Sequence, residues 1–541
     1  RGWHRRRSSA SLGGPLPWNH APYPVVSETG RLGCRYADFN RQWAAIRRTL
    51  NPSQIPMPPA HTDSSLSLSR QFARWASSLR YQELPEPVRD KARAFLLHAL
   101  TGAAIAHSSE SARHVVEIAL TEEGKPDGAS VFHSQKRATR VGAAFANSEW
   151  IHASSMFDSY RMLNHPGPVI IPAALACAEM EQRSGKDLLV AIVAGYEFIC
   201  RLTDDFIPST AARGFRPSPI FATLGAALSC GLLLGLDEDG LVSAIAVAAN
   251  FASGLNEGPR TGGNELMIHE PQAARNGVFA AVMARAGHVK GSETSLEGPA
   301  GFYNAFIGNA EGKLSFSFKG QLQSDPRNIT QGLGHEFKLL SFIFRMYPCA
   351  GYNQPVIELM REMREAHALS PEQVARIRVA MNTIETLYPS PAFPRFADWQ
   401  APVAGETTHY FAAYTAVHGA YPVAGGRAPA GATAKGIDPA AAAFMSRVEL
   451  VPEPLRPMFS PSITVELRDG TVLRGDYPYE RMVWNVDQLA VRLQDCLPGI
   501  HGGSEAFQAL ASAVREIEHE PLAASIFSKL TALRFNESTH H

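Results

Sequence analysis

From residue 66 to about residue 340, apolar residues recur at three- and four-residue spacing, and strand signals are almost absent. A chain patterned this way buries its apolar stripes helix against helix. The stretch "LSRQFARWASSLRYQEL" shows the rule, with Leu68, Phe72, Trp75, Ala76 and Leu79 on one face. "PEPVRDKARAFLLHALTGAAIA" follows, opened by proline and acidic residues as helix starts are. Further helices are expected at 112–121, 137–153, 171–183, 187–201, 219–235, 237–253, 270–287 and near 300–307. Several are apolar nearly all round, which places them inside a core. The charge-free run "IFATLGAALSCGLLLGL" at 220–236 is short for a bilayer span and ends in Asp237, Glu238 and Asp239. It reads as a buried core helix.

Period-two alternation begins only later, in "VARIRVAMN" (374–382), "SRVELVP" (446–452) and "PSITVELRDGTVLRGDYP" (461–478). Asp469-Gly470 marks a hairpin turn in the last of these. Helical stretches at 354–366 and 407–418 lie between them, with a Gly/Ala/Pro-rich insertion, "YPVAGGRAPAGATAKGIDPAAAAF". "VDQLAVRLQDCL", "SEAFQALASAVREIE" and "PLAASIFSKLTAL" then return to helix. The expected fold is mainly α with an α+β insert. It comprises an irregular extension over 1–65, a helical domain over 66–340, a smaller α+β lid domain over 341–486, and a helical return over 487–541. Residues 1–27 hold Arg1, Arg5, Arg6 and Arg7 with no acidic residue, a bias shared with organellar transit peptides. The same segment shows no amphipathic period. A cytoplasmic protein is expected, with a mitochondrial one as the alternative.

Lys+Arg and Asp+Glu both total 51, so nothing marks a nucleic-acid or anionic-membrane partner, and a small molecule is expected. Cys34, Cys177, Cys200, Cys230, Cys349 and Cys496 are scattered with no CxxC pair, against a zinc ribbon or an iron–sulfur cluster. They read as thiols, most of them buried. The Asn-x-Ser/Thr sites at Asn328 and Asn536 read as chance matches. "HEP" at 269–271 and "HEFKL" at 335–339 both miss the second histidine of HExxH, and "GPRTGGNE" lacks the phosphate-loop spacing and lysine. No GxGxxG opens a helix after a strand, and no GxSxG elbow is present. What remains is polar residues spread over several helix ends.

The densest of these is "FDSYRMLNHPGP" at 157–168, which gathers Asp158, Ser159, Tyr160, Arg161, Asn164 and His165 before an apolar helix. On composition alone a solvated turn is the simpler reading. The other is a loop held between rigid elements, where binding and catalysis tend to sit.

The string "NHPGPVIIPAALACAEMEQRSGKDLLVAIVAGYEFICRL" (164–202) resembles the MmgE/PrpD family. The resemblance continues in "RGFRPSPIFATLGAALSCGLLLGLDED", "IHEPQAARNGVFAAVMARAG", "SLEGPAGFYNAF", "MYPCAGYNQPVIELM" and "ETTHYFAAYTAVHG", in one order over roughly 66–541. That family holds 2-methylcitrate dehydratase, cis-aconitate decarboxylase and an iminodisuccinate epimerase. The resemblance implies a metal- and cofactor-independent enzyme on di- or tricarboxylic acids, often a homodimer, with its site between helical domain and lid.

Dehydrating a hydroxy tricarboxylate needs a base for the proton beside a carboxylate and an acid for the departing hydroxyl. It also needs cations or N–H donors for the carboxylates. By the resemblance, His165 is the general acid or base, Asp158 matches the last carboxylate of an Asp-x-Asp-Asp run, and Ser159 matches the threonine after it. Ser155 and Phe157 stand where that run has its other carboxylates. Arg216 replaces a histidine, Leu266 a lysine, Arg345 a lysine and Gln354 a histidine, while His269 is retained. Proton transfer then rests on His165 and His269. Arg216 and Arg345 are carboxylate ligands, because arginine stays protonated. Asn164, Tyr352 and Tyr388 are candidate wall residues. The structural alternatives are a helix cap for Asp158, a core histidine for His269 and a salt-bridged residue for Arg216. The leading expectation is a dehydratase of the 2-methylcitrate type, followed by a decarboxylase and then an epimerase. The contrasting one is a member that has lost catalysis and serves as a binding or structural dimer.

Overall fold

The computed structural model describes residues 66–261, 263–315, 317–319, 321–347, 349–387, 407–420, 438–499 and 503–532. The 1–65 extension, Cys34, Tyr388, Asn536 and most of the 421–444 insertion lie outside the described residues. All described residues belong to one packed unit.

Helices begin where a side chain satisfies, or a proline removes, the first orphan N–H groups. Ser67 caps α1 (Leu68–Ser78), Glu86-Pro87 opens α2 (Glu86–Ala106), and Ser109 caps α3 (Glu110–Glu123). Next come β1 (Gly124–Ser130), β2 (Arg137–Ala138), α4 (Arg140–Ala153) capped by Thr139, and β3 (Asp158–Ser159). Then follow α5 (Gly167–Met180), α6 (Gly185–Thr203) with a Ser184–Asp187 capping box, α7 (Pro217–Leu233), α8 (Glu238–Phe251) and α9 (His269–Arg285). The all-round apolar helices are the inner ones. α7 is buried along nearly its whole length and packs against α5, α6, α8 and α9. Each fully buried Leu, Ile or Phe in this core contributes about 1.5–3 kcal/mol. Where α6 meets α7 the backbones approach closely, and a Cβ on Gly225 would lie 2.4 Å from Ile199 Cγ2.

One expectation fails locally. The helix expected over 137–153 begins at Arg140, because residues 137–138 pair with β1. The segment after β1 is stabilised from another element: Phe132 N–H donates to Asn147 Oδ1 (2.7 Å), and Asn147 Nδ2 donates to Ser130 O (2.9 Å). "GKPDGAS" carries no strand pattern of its own, so a local reading misses it.

The second half adds β4 (Ile343–Phe344), α10 (Asn353–Ala366), β5 (Val374–Asn382), α11 (Thr408–His418), β6 (Val448–Glu453), β7 (Ser462–Leu467) and β8 (Val472–Asp476). The last four strands form a sheet in the order β6-β5-β7-β8, with β5–β6 parallel and the other pairs antiparallel. Gly470, at φ 90°, makes the β7–β8 turn. Just after β5, the buried Glu385 accepts a hydrogen bond from Phe459 N–H (2.8 Å) at Oε1, while its Oε2 has no partner. Burial pushes this carboxyl up to about 8. The chain ends in α12 (Val486–Arg492), α13 (Gly503–Arg515) and α14 (Ser525–Ala532). The first two of these pack on α2, where the buried Lys91 donates to Phe342 O (2.8 Å) and Trp484 O (3.1 Å).

Candidate active site

The polar run identified in the sequence lies at the β3–β4 pair, where Asp158 opposes Phe344 and Ser159 opposes Ile343. A tight loop follows, closed by Tyr160 N–H to Asn164 O (2.9 Å) and Asn164 N–H to Tyr160 O (3.2 Å). Arg161 and Met162 hold left-handed backbone there, at φ 51° and 60°. Such positions persist only where the surroundings enforce them, and they cluster at functional sites.

Asp158 takes the capping role. Its Oδ1 accepts from Gly167 N–H (2.9 Å) at the start of α5, and its Oδ2 accepts from Tyr196 O–H (2.5 Å). Burial pushes its carboxyl up to about 6, against the pull of those two donors and of Lys91. Gly167 is required, because a Cβ there would meet Asp158 Oδ1 at 2.7 Å. Both carboxylate oxygens are therefore engaged, Oδ1 at the start of the helix that follows His165 and Oδ2 with Tyr196 of α6.

His165 is buried and oriented at one ring nitrogen. Nδ1 lies 3.0 Å from Asp158 O and 3.0 Å from Ser159 Oγ. A carbonyl only accepts, so Nδ1 carries the proton and Nε2 keeps its lone pair. Ser218 Oγ fixes the backbone of His165 at both N–H and C=O, each at 3.1 Å. Burial lowers the imidazole to about 3, helped by Arg345 and Arg216 and opposed by Glu270 and the Asp158 carbonyl. His165 is thus neutral at ordinary pH, a base rather than an acid.

The structure brings Arg345 and Arg216 to bear on His165, and Arg216 on His269 as well. Phe157 sits among them. Its ring stacks on His152 (5.3 Å, 6°), lies 5.2 Å from the His165 ring, and has the Arg345 Cζ 4.8 Å from its centroid. Behind it, Glu270 pairs with Arg216 at Oε1 and with His152 Nε2 (3.1 Å) at Oε2. Burial pushes Glu270 up, yet Arg216 and His152 hold it well below the usual carboxylate range. Glu149 stands 3.8 Å from the other nitrogen of His152. His269 is half-buried with Nδ1 unpartnered, and burial and Arg216 lower it to about 4. Both amide atoms of the buried Asn164 also lack partners. Tyr352 lies within an apolar core cluster at the start of α10.

Sequence reasoning missed Glu270, His152 and Glu149. The local signal was present: Glu270 follows His269 at a helix start, and Glu149 and His152 share a face of α4. Nothing local reveals that the two segments meet. The backbone at Arg345 is fixed by His98 Nε2 on its carbonyl (2.9 Å) and by its own N–H to Phe157 O (3.0 Å). Among the described residues, no group of three or more His, Cys, Asp or Glu could hold a metal ion.

Comparison with known proteins agrees with the sequence motifs. Residues 70–315 match the MmgE/PrpD N-terminal domain. A cis-aconitate decarboxylase-like protein of Aspergillus oryzae is 27% identical over 312 residues, 55% of this chain and 62% of that protein. A cis-aconitate decarboxylase of Aspergillus terreus is 23% identical over 331 residues (59% and 64%), and the human cis-aconitate decarboxylase 28% over 262 (46% and 52%). The chain thus spans less than two thirds of each of these relatives. The segment that supplies His165, Arg216, Glu270 and His269 is thus the part of this chain that matches the MmgE/PrpD N-terminal domain.

Proposed function

We propose that the chain is a lyase acting on a small citrate-derived acid, with His165 Nε2 as the base. The observation that carries this reading is the buried, neutral His165, oriented through Nδ1 and set beside Arg345 and Arg216. A neutral imidazole that keeps the Nε2 lone pair takes the proton beside a substrate carboxylate. The two arginines bind carboxylates and stabilise the charge that spreads onto them. Ser159 shares the Nδ1 proton and holds the ring, and His269 is the second proton-transfer group. Residues 341–486 serve as the lid. In the dehydratase course of the 2-methylcitrate type, His165 Nε2 takes the proton and returns it to the departing hydroxyl, so that water is lost.

A second reading is favoured by the names of the relatives, all cis-aconitate decarboxylases or like them. In that course the arginines hold the acid while carbon dioxide departs, and a proton drawn from solvent through His165 or His269 replaces it on carbon. Incubation with citrate, 2-methylcitrate and cis-aconitate, followed by mass, separates the two: loss of water marks one and loss of carbon dioxide the other. Turnover should vanish in His165→Ala with folding retained. If no acid is consumed at high enzyme concentration, lyase activity on these substrates is refuted.

A further inference from the structure

His152 joins the two arginines of the candidate site from behind. It stands in the last turn of α4, wholly buried, where α4 packs against α9. On its edge, Nε2 lies 3.1 Å from Oε2 of Glu270, whose Oε1 pairs with Arg216. A carboxylate only accepts, so Nε2 carries a proton on that side. On its face, the ring stacks on Phe157, with 5.3 Å between centroids and 6° between planes. Phe157 in turn has the Arg345 Cζ 4.8 Å from its ring centre, and its carbonyl accepts from Arg345 N–H (3.0 Å). The imidazole therefore acts on Arg216 through its edge and on Arg345 through its face. Arg216 precedes α7 and Arg345 follows β4, so one ring ties together two segments far apart in the sequence. A histidine that only filled the core would need the stack and not the carboxylate. Guanidinium forks bind carboxylates in a fixed geometry, so the separation of two forks sets which pair of carboxylates fits.

We propose that His152 is a positioning residue that holds Arg216 and Arg345 in register for two carboxylates of one substrate. The inference rests on the reading of this site as a carboxylic-acid site and deepens it. His152 acts through Glu270 on one side and through Phe157 on the other.

Two substitutions separate the two contacts. His152→Phe keeps a flat ring on Phe157 and removes the donor to Glu270. His152→Gln can set an amide N–H where Nε2 stands and removes the stack. The probe is tricarballylate, a tricarboxylate with neither hydroxyl nor double bond, and the readout is calorimetric binding. His152→Phe should weaken binding by about tenfold, the worth of one charge-assisted contact. The same change made in Arg216→Gln/Glu270→Gln, where no carboxylate is left to hold, should cost less than about twofold. In Arg345→Gln the tenfold loss should persist. His152→Gln should weaken binding by about threefold, and by less than about twofold in Arg345→Gln. Because His152→Gln keeps a donor for Glu270, it decides the matter where His152→Phe does not fold. Losses of equal size in every background mean that His152 acts only through general packing, and they overturn the inference. Unchanged binding in both single variants overturns it as well. If wild type itself does not bind tricarballylate, the carboxylic-acid reading falls, and this inference with it.

Discussion

Replacing His165 by asparagine tests the burial of the candidate base without relying on any substrate. The Asn amide nitrogen can take the place of Nδ1 and donate to the Asp158 carbonyl, so the variant keeps the orienting bond and loses only the titrating ring. In the unfolded chain this imidazole titrates near 6.5, and in the folded chain burial and the two arginines lower it to about 3. The folded state therefore refuses a proton that the unfolded state binds. The contribution is fully present above the unfolded value and is lost as pH falls toward the folded one. Between about pH 7.5 and pH 5, linkage gives a loss of about 2 kcal/mol from this one ring. His98 and His269, both lowered to about 4, act in the same direction, while Asp158 and Glu385, raised to about 6 and about 8, act in the other. Those terms are common to both proteins, so the wild-type minus His165→Asn difference isolates His165. Equilibrium urea unfolding at the two pH values reads it. A difference below about 0.5 kcal/mol would mean that His165 protonates freely in the folded protein, and the argument for a buried base would fail.

Two further outcomes follow from the same region and from the sheet. Gly167→Ala places a methyl 2.7 Å from Asp158 Oδ1 and should cost about 1–3 kcal/mol, measured as a drop in Tm; an unchanged Tm refutes the close contact. Glu385, with its folded value raised from 4.5 to about 8, makes wild type less stable as pH rises through that window. Glu385→Gln should remove on the order of 3 kcal/mol of that decline between about pH 5 and pH 7.5, by urea unfolding, and equal slopes in the two proteins contradict it.

Much of the helical architecture is legible in the sequence because its signals are local. Ser67, Ser109, Thr139, Ser184 and Asp237 cap the helices they precede, and the all-apolar α7 is buried as its composition demands. The β7–β8 hairpin is likewise written in alternation and in Asp469-Gly470. The β1–β2 pair is not, since Asn147 stabilises its neighbourhood from α4. At the site, the run 157–165 stands out as a cluster of polar residues, and His165 is its clearest member. Asp158 could equally be cap or catalyst from the sequence, because either role asks for a carboxylate before a helix start.

The sequence by itself determined the helical body, the late alternating strands, the family resemblance and the polar run before Pro166-Gly167. These depend on periodicity, capping and motif order, which act over a few residues at a time. Only the tertiary structure decided what each polar group faces. Glu270 reaches Arg216 and His152 because three helix ends meet, and Arg345 reaches His165 because β4 pairs with β3. Phe157, which looks in the sequence like a lost carboxylate, becomes the ring on which His152 stacks and Arg345 rests. Charge compensation and desolvation belong to pairs of groups brought together by folding. A linear reading can name the groups but cannot supply the distances that set their protonation.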